Sequence, residues 1–207
     1  MLRSAGARMS ADKLNLAVFI SGNGSNLQAL IDACKDPAFP ARIALVVSNQ
    51  PGAYGLERAK KAEIPAIMID HKNYTNRSEF ENVLQDTLKD YPVNLICLAG
   101  FMRILSADFV NRWPNKIINT HPALLPKFGG KGMYGEHVHR AVLEAGELQS
   151  GCSIHYVIPE VDQGPVIVQR AVPVIADDSV ETLAARVIAQ EHIAYPEAVR
   201  MIAEKRV

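Results

Sequence analysis

Apolar positions along the chain come in short blocks separated by turns rich in glycine, proline and asparagine. The first block, residues 14–20, is rich in strand formers and stops at Ser21-Gly22-Asn23-Gly24-Ser25-Asn26. Leu27, Leu30 and Ile31 then recur at helical spacing to about Cys34, so the order reads strand, glycine turn, helix. Residues 43–47 predict a second strand, 56–62 a helix and 66–69 a short strand. A longer helix is predicted over 78–89, with Phe80, Val83, Leu84 and Leu88 on its inner face. Residues 93–99 are almost continuously apolar, the pattern of a strand buried on both sides. Ser106 is placed to cap a helix running to Arg112, and 116–119 predict the next strand.

Beyond that strand the periodicity stops. Residues 120–134 hold Pro122, Pro126 and a cluster of glycines, which predicts a long irregular loop. Such loops in compact domains are usually functional or mobile. Helix is predicted again over 137–145. Two strands, 152–158 and 165–173, follow with a polar turn between them. An amphipathic helix over 180–193 closes the chain, with Leu183, Val187 and Ile188 facing inward. Strands alternate with helices at least four times, which predicts an α/β fold. The expected architecture is a doubly wound, Rossmann-like, mostly parallel sheet with helices on both faces. The two late strands lack a helix between them and predict an antiparallel extension near the C-terminal end. No repeat or linker divides the chain. Residues 14–207 are expected to form one domain, and 1–13 a flexible arm or a non-native extension, with Met9 as an alternative start. Ligands of such sheets bind beyond the carboxyl ends of the strands.

Composition narrows the function. The chain has 207 residues, 48% hydrophobic and 21% charged, ordinary globular values. Lys+Arg and Asp+Glu are 22 each, so the formal charge is zero. This argues against a nucleic-acid partner, and mildly for self-association, which leaves a homodimer open. No apolar run reaches the roughly 18 residues of a membrane span, and the first residues lack an apolar signal core. The three cysteines, Cys34, Cys97 and Cys152, are far apart, so a reducing, cytoplasmic setting is expected.

Three places can carry chemistry. Gly22–Asn26 follows the first strand and opens a helix, where a glycine turn and free N–H groups suit a phosphate. It is neither a GxGxxG nor a Walker loop, so a phosphomonoester is the remaining guest; the alternative is a tight turn capped by Ser25 or Asn26. Asn119 and His121 lie two apart at a strand end and point to the same side. An amide donor and an imidazole there suit a developing oxyanion; a hydrogen-bonded core histidine is the alternative. Asp162, in Glu160-Val161-Asp162-Gln163-Gly164-Pro165, would share that edge if its strand ran parallel to the Asn119 strand. A carboxylate beside an imidazole favours the protonated ring. The alternative is a plain turn with Gly164 at positive φ. His137 and His139 have metal-like spacing for a strand but fall on a predicted helix, where such residues do not face each other, so no metal is expected. Trp113 reads as structural.

Five segments carry a resemblance: SGNGSNLQALIDAC (21–34), LAGFMRILS (98–106), INTHPALLPKF (118–128), VDQGPVI (161–167) and QEHIAYP (190–196). Together they are similar to the glycinamide ribonucleotide branch of the folate-dependent formyltransferases, over almost the whole chain. The resemblance implies an enzyme of purine synthesis. It would move a formyl group from 10-formyltetrahydrofolate to the amine of 5'-phosphoribosylglycinamide, without a metal. It implies catalytic roles for Asn119, His121 and Asp162. Gly24, Ser25 and Asn26 match the phosphate-binding segment, and Glu191 a ribose contact. Met102, Arg103, Ile104 and Leu105 match the pterin segment, which Asn119 borders, and Arg77 a more distant folate contact. Ser153 matches a small polar position beside the catalytic three. The stretch 127–139 is longer than the short family version, so closure of the site is expected to differ. Two rival formyl chemistries, on initiator tRNA and on formylfolate itself, normally use a second domain. A non-catalytic phosphate-binding module is the alternative of another class.

Overall fold

The structure is a computed structural model that describes residues 13–205. The arm expected over 1–13 therefore lies outside the described residues except for Lys13. In chain order the elements are β1 (Leu14–Ile20), α1 (Ser25–Cys34), β2 (Ala41–Ser48), α2 (Tyr54–Lys61), β3 (Ala66–Met68), α3 (Arg77–Lys89), β4 (Leu95–Leu98), α4 (Ala107–Asn111), β5 (Ile117–His121), α5 (Glu136–Glu144), β6 (Gln149–Tyr156), β7 (Val166–Pro173) and α6 (Val180–Ala203). The strands form one sheet in the order β3-β2-β1-β4-β5-β6-β7. β1 to β5 pair in parallel, while β6 pairs antiparallel with both β5 and β7.

The pleat of β1 explains the two-sided burial. Leu16, Val18 and Ile20 pack with α1, α5 and α6, while Ala17 and Phe19 pack with α3 and α4. Successive side chains point to opposite faces, so a strand covered on both must be apolar throughout. β1 is also where the strand order reverses, with β2 on one side and β4 on the other. The crevice beyond their carboxyl ends is where such folds take ligands. Ser21 ties the two ends together there, its Oγ accepting from the Met102 N–H at 2.8 Å.

Three local expectations are corrected. Val83 and Ile188, expected to face inward, are 36% and 37% exposed. The buried stripe of α3 is Phe80, Leu84 and Leu88, flanked by Glu81, which accepts from the Ser106 N–H at 2.7 Å and from the Ser106 hydroxyl. The final helix runs to Ala203, ten residues beyond the predicted end, and carries Pro196 inside it. Proline removes one N–H donor, but the buried face of Ala194 and Tyr195 continues past it with Ala198 and Val199. The Tyr195 hydroxyl donates to the Leu98 carbonyl at 3.0 Å, with the Ile118 carbonyl 3.4 Å away, pinning α6 under β4 and β5.

The third correction concerns Asp162. β6 runs antiparallel to β5, so its end lies beside the start of β5, where the Val157 N–H donates to the Ile117 carbonyl at 2.9 Å. The loop between β6 and β7 then returns along β5 and delivers Asp162 to the carboxyl edge by a different route. Asp162 itself takes the positive φ, 58°, that was expected of Gly164. Gly164 is required for space: a Cβ there would lie 1.8 Å from the Tyr156 carbonyl oxygen.

Gly164→Ala therefore forces backbone apart in the loop that carries Asp162. The expected cost is at least about 2 kcal/mol, read from the denaturant midpoint. An unchanged midpoint would remove the spatial argument for this glycine.

Candidate active site

The glycine turn comes first. Gly24 is the N-cap of α1 in a left-handed conformation (φ 73°), and no side chain caps the helix. The alternative, a cap by Ser25 or Asn26, is absent, and Asn26 turns inward, its Nδ2 donating to Glu191 Oε2 at 2.7 Å. The first-turn N–H groups of α1 thus keep their anion-binding capacity. A Cβ at Gly24 would also meet Gly55 Cα at 2.8 Å, so only glycine fits both the φ and the space. Arg58 braces the loop: Nε donates to the Asn23 carbonyl and Nη2 to Asn23 Oδ1, both at 2.9 Å. Its guanidinium stacks 4.9 Å from the Tyr54 ring centre. Nothing in the spacing of the sequence singles out Arg58. Glu191 is buried, and burial pushes its carboxyl pKa above the usual range, against the Asn26 hydrogen bond.

The segment after β4 divides. Met102 and Ile104 are 58% and 50% exposed, an apolar shelf at the strand ends. The Leu105 side chain instead joins the core with Phe101 and Phe109. Arg103 lies over the Phe80 ring. Arg77 opens α3 and lines a separate cleft of about 190 Å³ with Ser106 and Arg112.

Asn119 and His121 share one face of β5, and the register of β6 sets His155 opposite Asn119 and Ser153 opposite His121. His121 Nδ1 lies 3.5 Å from Asp162 Oδ2, and His155 Nε2 lies 3.6 Å from Asp162 Oδ1. Asn119 Nδ2 lies 3.3 Å from His155 Nε2. The three expected side chains are thus brought together around a fourth, His155. The sequence reading did not single it out, although it stands two residues from Ser153 on a strand and so shares its face.

The long loop after β5 closes over this group. His121 Nε2 donates to the Phe128 carbonyl at 2.7 Å, and the Gly130 N–H donates to Asp162 Oδ2 at 2.9 Å. Phe128 reaches this position with a positive φ of 55°. A cleft of about 410 Å³ lies alongside, lined by Leu125, Gly129, Gly130, Asp162 and Gln163. Ser153 is fully buried. It donates to the Ala123 carbonyl at 2.6 Å and accepts from the Leu125 N–H at 3.0 Å and Gln169 Nε2 at 2.9 Å. That completes what a hydroxyl can do, so Ser153 braces the loop.

Other chemistries find less support. His137 and His139 are on α5, and His139 is buried while His137 is exposed against the Tyr134 ring. No cluster of three metal-ligating side chains occurs among the described residues, and none of their helices is long and apolar enough to cross a membrane. All three cysteines are unpaired. Burial pushes Cys34 up to about 11 and Cys152 up to about 12, with Cys97 raised further, so none offers a thiolate at neutral pH. Trp113 packs structurally, its Nε1 donating to Gln85 Oε1 at 2.9 Å.

Known proteins share this arrangement of elements. Residues 14–199 match the formyl transferase family. The chain is 49% identical over 196 residues to the trifunctional purine biosynthetic protein adenosine-3 of Gallus gallus, covering 95% of this chain but 19% of that protein. It is 43% identical over 193 residues to the phosphoribosylglycinamide formyltransferase of Escherichia coli, covering 93% of this chain and 89% of that one. Glycinamide ribonucleotide transformylase 1 from Symbiobacterium toebii superposes with a TM-score of 0.90 at 43% identity, covering 98% of this chain and 94% of that one. With its sheet, its glycine turn and its strand-end pair in this order, the chain belongs to the formyl transferase family.

Proposed function

We propose that the chain transfers the formyl group of 10-formyltetrahydrofolate to the glycinamide amine of 5'-phosphoribosylglycinamide, a step of purine synthesis. The observation that carries this reading is the approach of Asp162 to His121, 3.5 Å apart, on the edge that also holds Asn119. The uncapped start of α1 supports a phosphate at Gly24, Ser25 and Asn26. The Glu191 carboxylate, held by Asn26, supports a ribose hydroxyl contact nearby. Met102 and Ile104 offer the apolar shelf that a flat folate ring requires, with Arg103 beside it and Arg77 farther out. Unpaired cysteines suit a reducing, cytoplasmic setting.

The bound folate supplies an activated formyl carbon. The chain's own part in the reaction is electrostatic and protonic. As the amine attacks, negative charge develops on the formyl oxygen, and N–H donors from Asn119 and His121 stabilise it. Both ring nitrogens of His121 face acceptors, Phe128 O and Asp162 Oδ2, an arrangement that only the doubly protonated ring satisfies in full. The Phe128 bond must be exchanged for the substrate oxygen. The attacking amine becomes cationic and loses a proton as the leaving folate nitrogen gains one; in this reading Asp162 accepts and relays it. No covalent intermediate with the enzyme is needed.

Mixing the chain with both substrates and following the folate absorbance tests the reading. Turnover is expected; tight binding without turnover would favour a phosphate-binding module. Asp162→Asn retains the oxygen that accepts from Gly130, so the fold should persist while kcat falls about 10²–10³-fold. Near-native turnover would contradict the assigned role.

Glu191→Gln separates substrate binding from stability. In the folded chain the raised pKa favours the neutral acid, so the stability linked to Glu191 is complete at low pH. It declines as pH rises from the ordinary carboxylate value, about 4.3, through the raised one. Glutamine still accepts from Asn26 but cannot ionise. The variant should lose less stability than the parent as pH rises above the ordinary carboxylate value. The KM for the ribonucleotide should rise up to about tenfold, the worth of one hydrogen bond. Parallel stability curves for parent and variant would show that Glu191 does not carry this linkage.

A further inference from the structure

His155 lies directly across the β5–β6 ladder from Asn119 and is 2% exposed. Cross-strand partners hold their Cβ atoms about 4.5–5.5 Å apart, so ring and amide have to meet. His155 Nδ1 lies 2.9 Å from the Tyr156 carbonyl oxygen. A carbonyl only accepts, so this ring nitrogen carries a proton. His155 Nε2 lies 3.3 Å from Asn119 Nδ2. An amide nitrogen only donates, so Nε2 must present its lone pair. Asp162 Oδ1, at 3.6 Å, is beyond hydrogen-bond distance from the same nitrogen. The two contacts select one tautomer of a neutral ring. Burial acts in the same direction by pushing the ring's pKa below its ordinary value, as does the charge on His121, while the Tyr156 carbonyl and Asp162 oppose it.

We infer that His155 is a positioning residue that holds the Asn119 carboxamide in one of its two orientations, with one N–H on the ring and the second free to donate. The role in catalysis rests on the formyl-transfer reading above. An amide that lost this acceptor could turn by half a revolution and exchange its NH₂ for its oxygen. An oxygen in place of a donor repels a developing oxyanion, so the cost should fall on the chemical step. Three residues of this site then form a relay of orientation. The Tyr156 backbone fixes the ring, the ring fixes the amide, and the amide meets the substrate.

Two substitutions distinguish this role from plain packing. Glutamine at full extension can bring an amide oxygen to the place of Nε2. Asparagine is one carbon shorter: it can still donate to the Tyr156 carbonyl but offers nothing to Asn119. His155→Gln should keep kcat within about threefold of the parent, and His155→Asn should lower it about 10²-fold, with both KM values within about threefold. Equal losses in the two variants, or none in either, would overturn the inference. A substrate-free measurement decides the orientation itself. Nitrogen NMR of the labelled chain should show His155 protonated at Nδ1 and bare at Nε2. The Asn119 side-chain amide signals should move in His155→Asn and stay in place in His155→Gln. A proton on Nε2, or Asn119 signals indifferent to both changes, would refute it. Lack of turnover by the parent chain would count against formyl transfer alone, because the NMR result needs no substrate.

Discussion

The pairing of β5 with β6 is the constraint on which the candidate site depends. A strand ladder of fixed register decides which side chains face one another, and a slip of one residue turns every side chain to the opposite face. Here the register sets Asn119 against His155 and His121 against Ser153. One face of two strands therefore presents four polar side chains in a block. Ser153 spends its hydroxyl on holding the loop that follows His121. His155 spends its ring on the amide beside it. The two residues of β6 thus support the two of β5, and the antiparallel direction makes the arrangement compact.

Asp162 sits between the imidazoles of His121 and His155, and its side chain is 9% exposed. A buried carboxylate is costly unless its oxygens find donors or positive charge. One oxygen has the Gly130 N–H and the His121 ring, and the other faces His155. Since Tyr156 already claims the proton of His155 at Nδ1, His121 is the ring left to direct an N–H toward Asp162. The same carboxylate treats its two neighbouring imidazoles differently because their backbone partners differ. One faces carbonyl and carboxylate acceptors at its two nitrogens; the other faces an acceptor and a donor.

The periodic parts of the fold were legible in the sequence. Residues 93–99 read as a strand buried on both sides, and Leu95–Leu98 within them is one, because a strand covered on both faces cannot hide that fact. The Ser106 cap was also legible, since a hydroxyl before a helix has a local job, here accepting from the Phe109 N–H. The helix beyond Pro196 was not, because the packing that carries it past the proline comes from distant strands. Val83 failed for a related reason: spacing predicts a stripe but not its edges, and here the buried Glu81 rather than Val83 flanks it. In the site, Asn119 and His121 followed from strand periodicity. Asp162 was found by residue type and resemblance, while its route, by an antiparallel strand and a returning loop, is a matter of topology. His155 and Arg58 act through partners far along the chain, and no local pattern encodes such pairs. Leu105 lies in a matching segment but turns into the core, a distinction of side-chain direction that a motif does not contain.

The Phe128 carbonyl on His121 has a consequence for how ligands compete at this centre. In the resting protein the imidazole already spends its Nε2 proton on an oxygen supplied by the chain itself. An arriving carbonyl does not add a hydrogen bond to the total; it trades places with an internal one. Such a swap contributes little net attraction for the ground state. The advantage emerges as the incoming oxygen acquires more negative charge than an amide oxygen ever holds. Under the proposed transfer, a built-in surrogate of this kind favours an oxygen of developing charge over a neutral carbonyl.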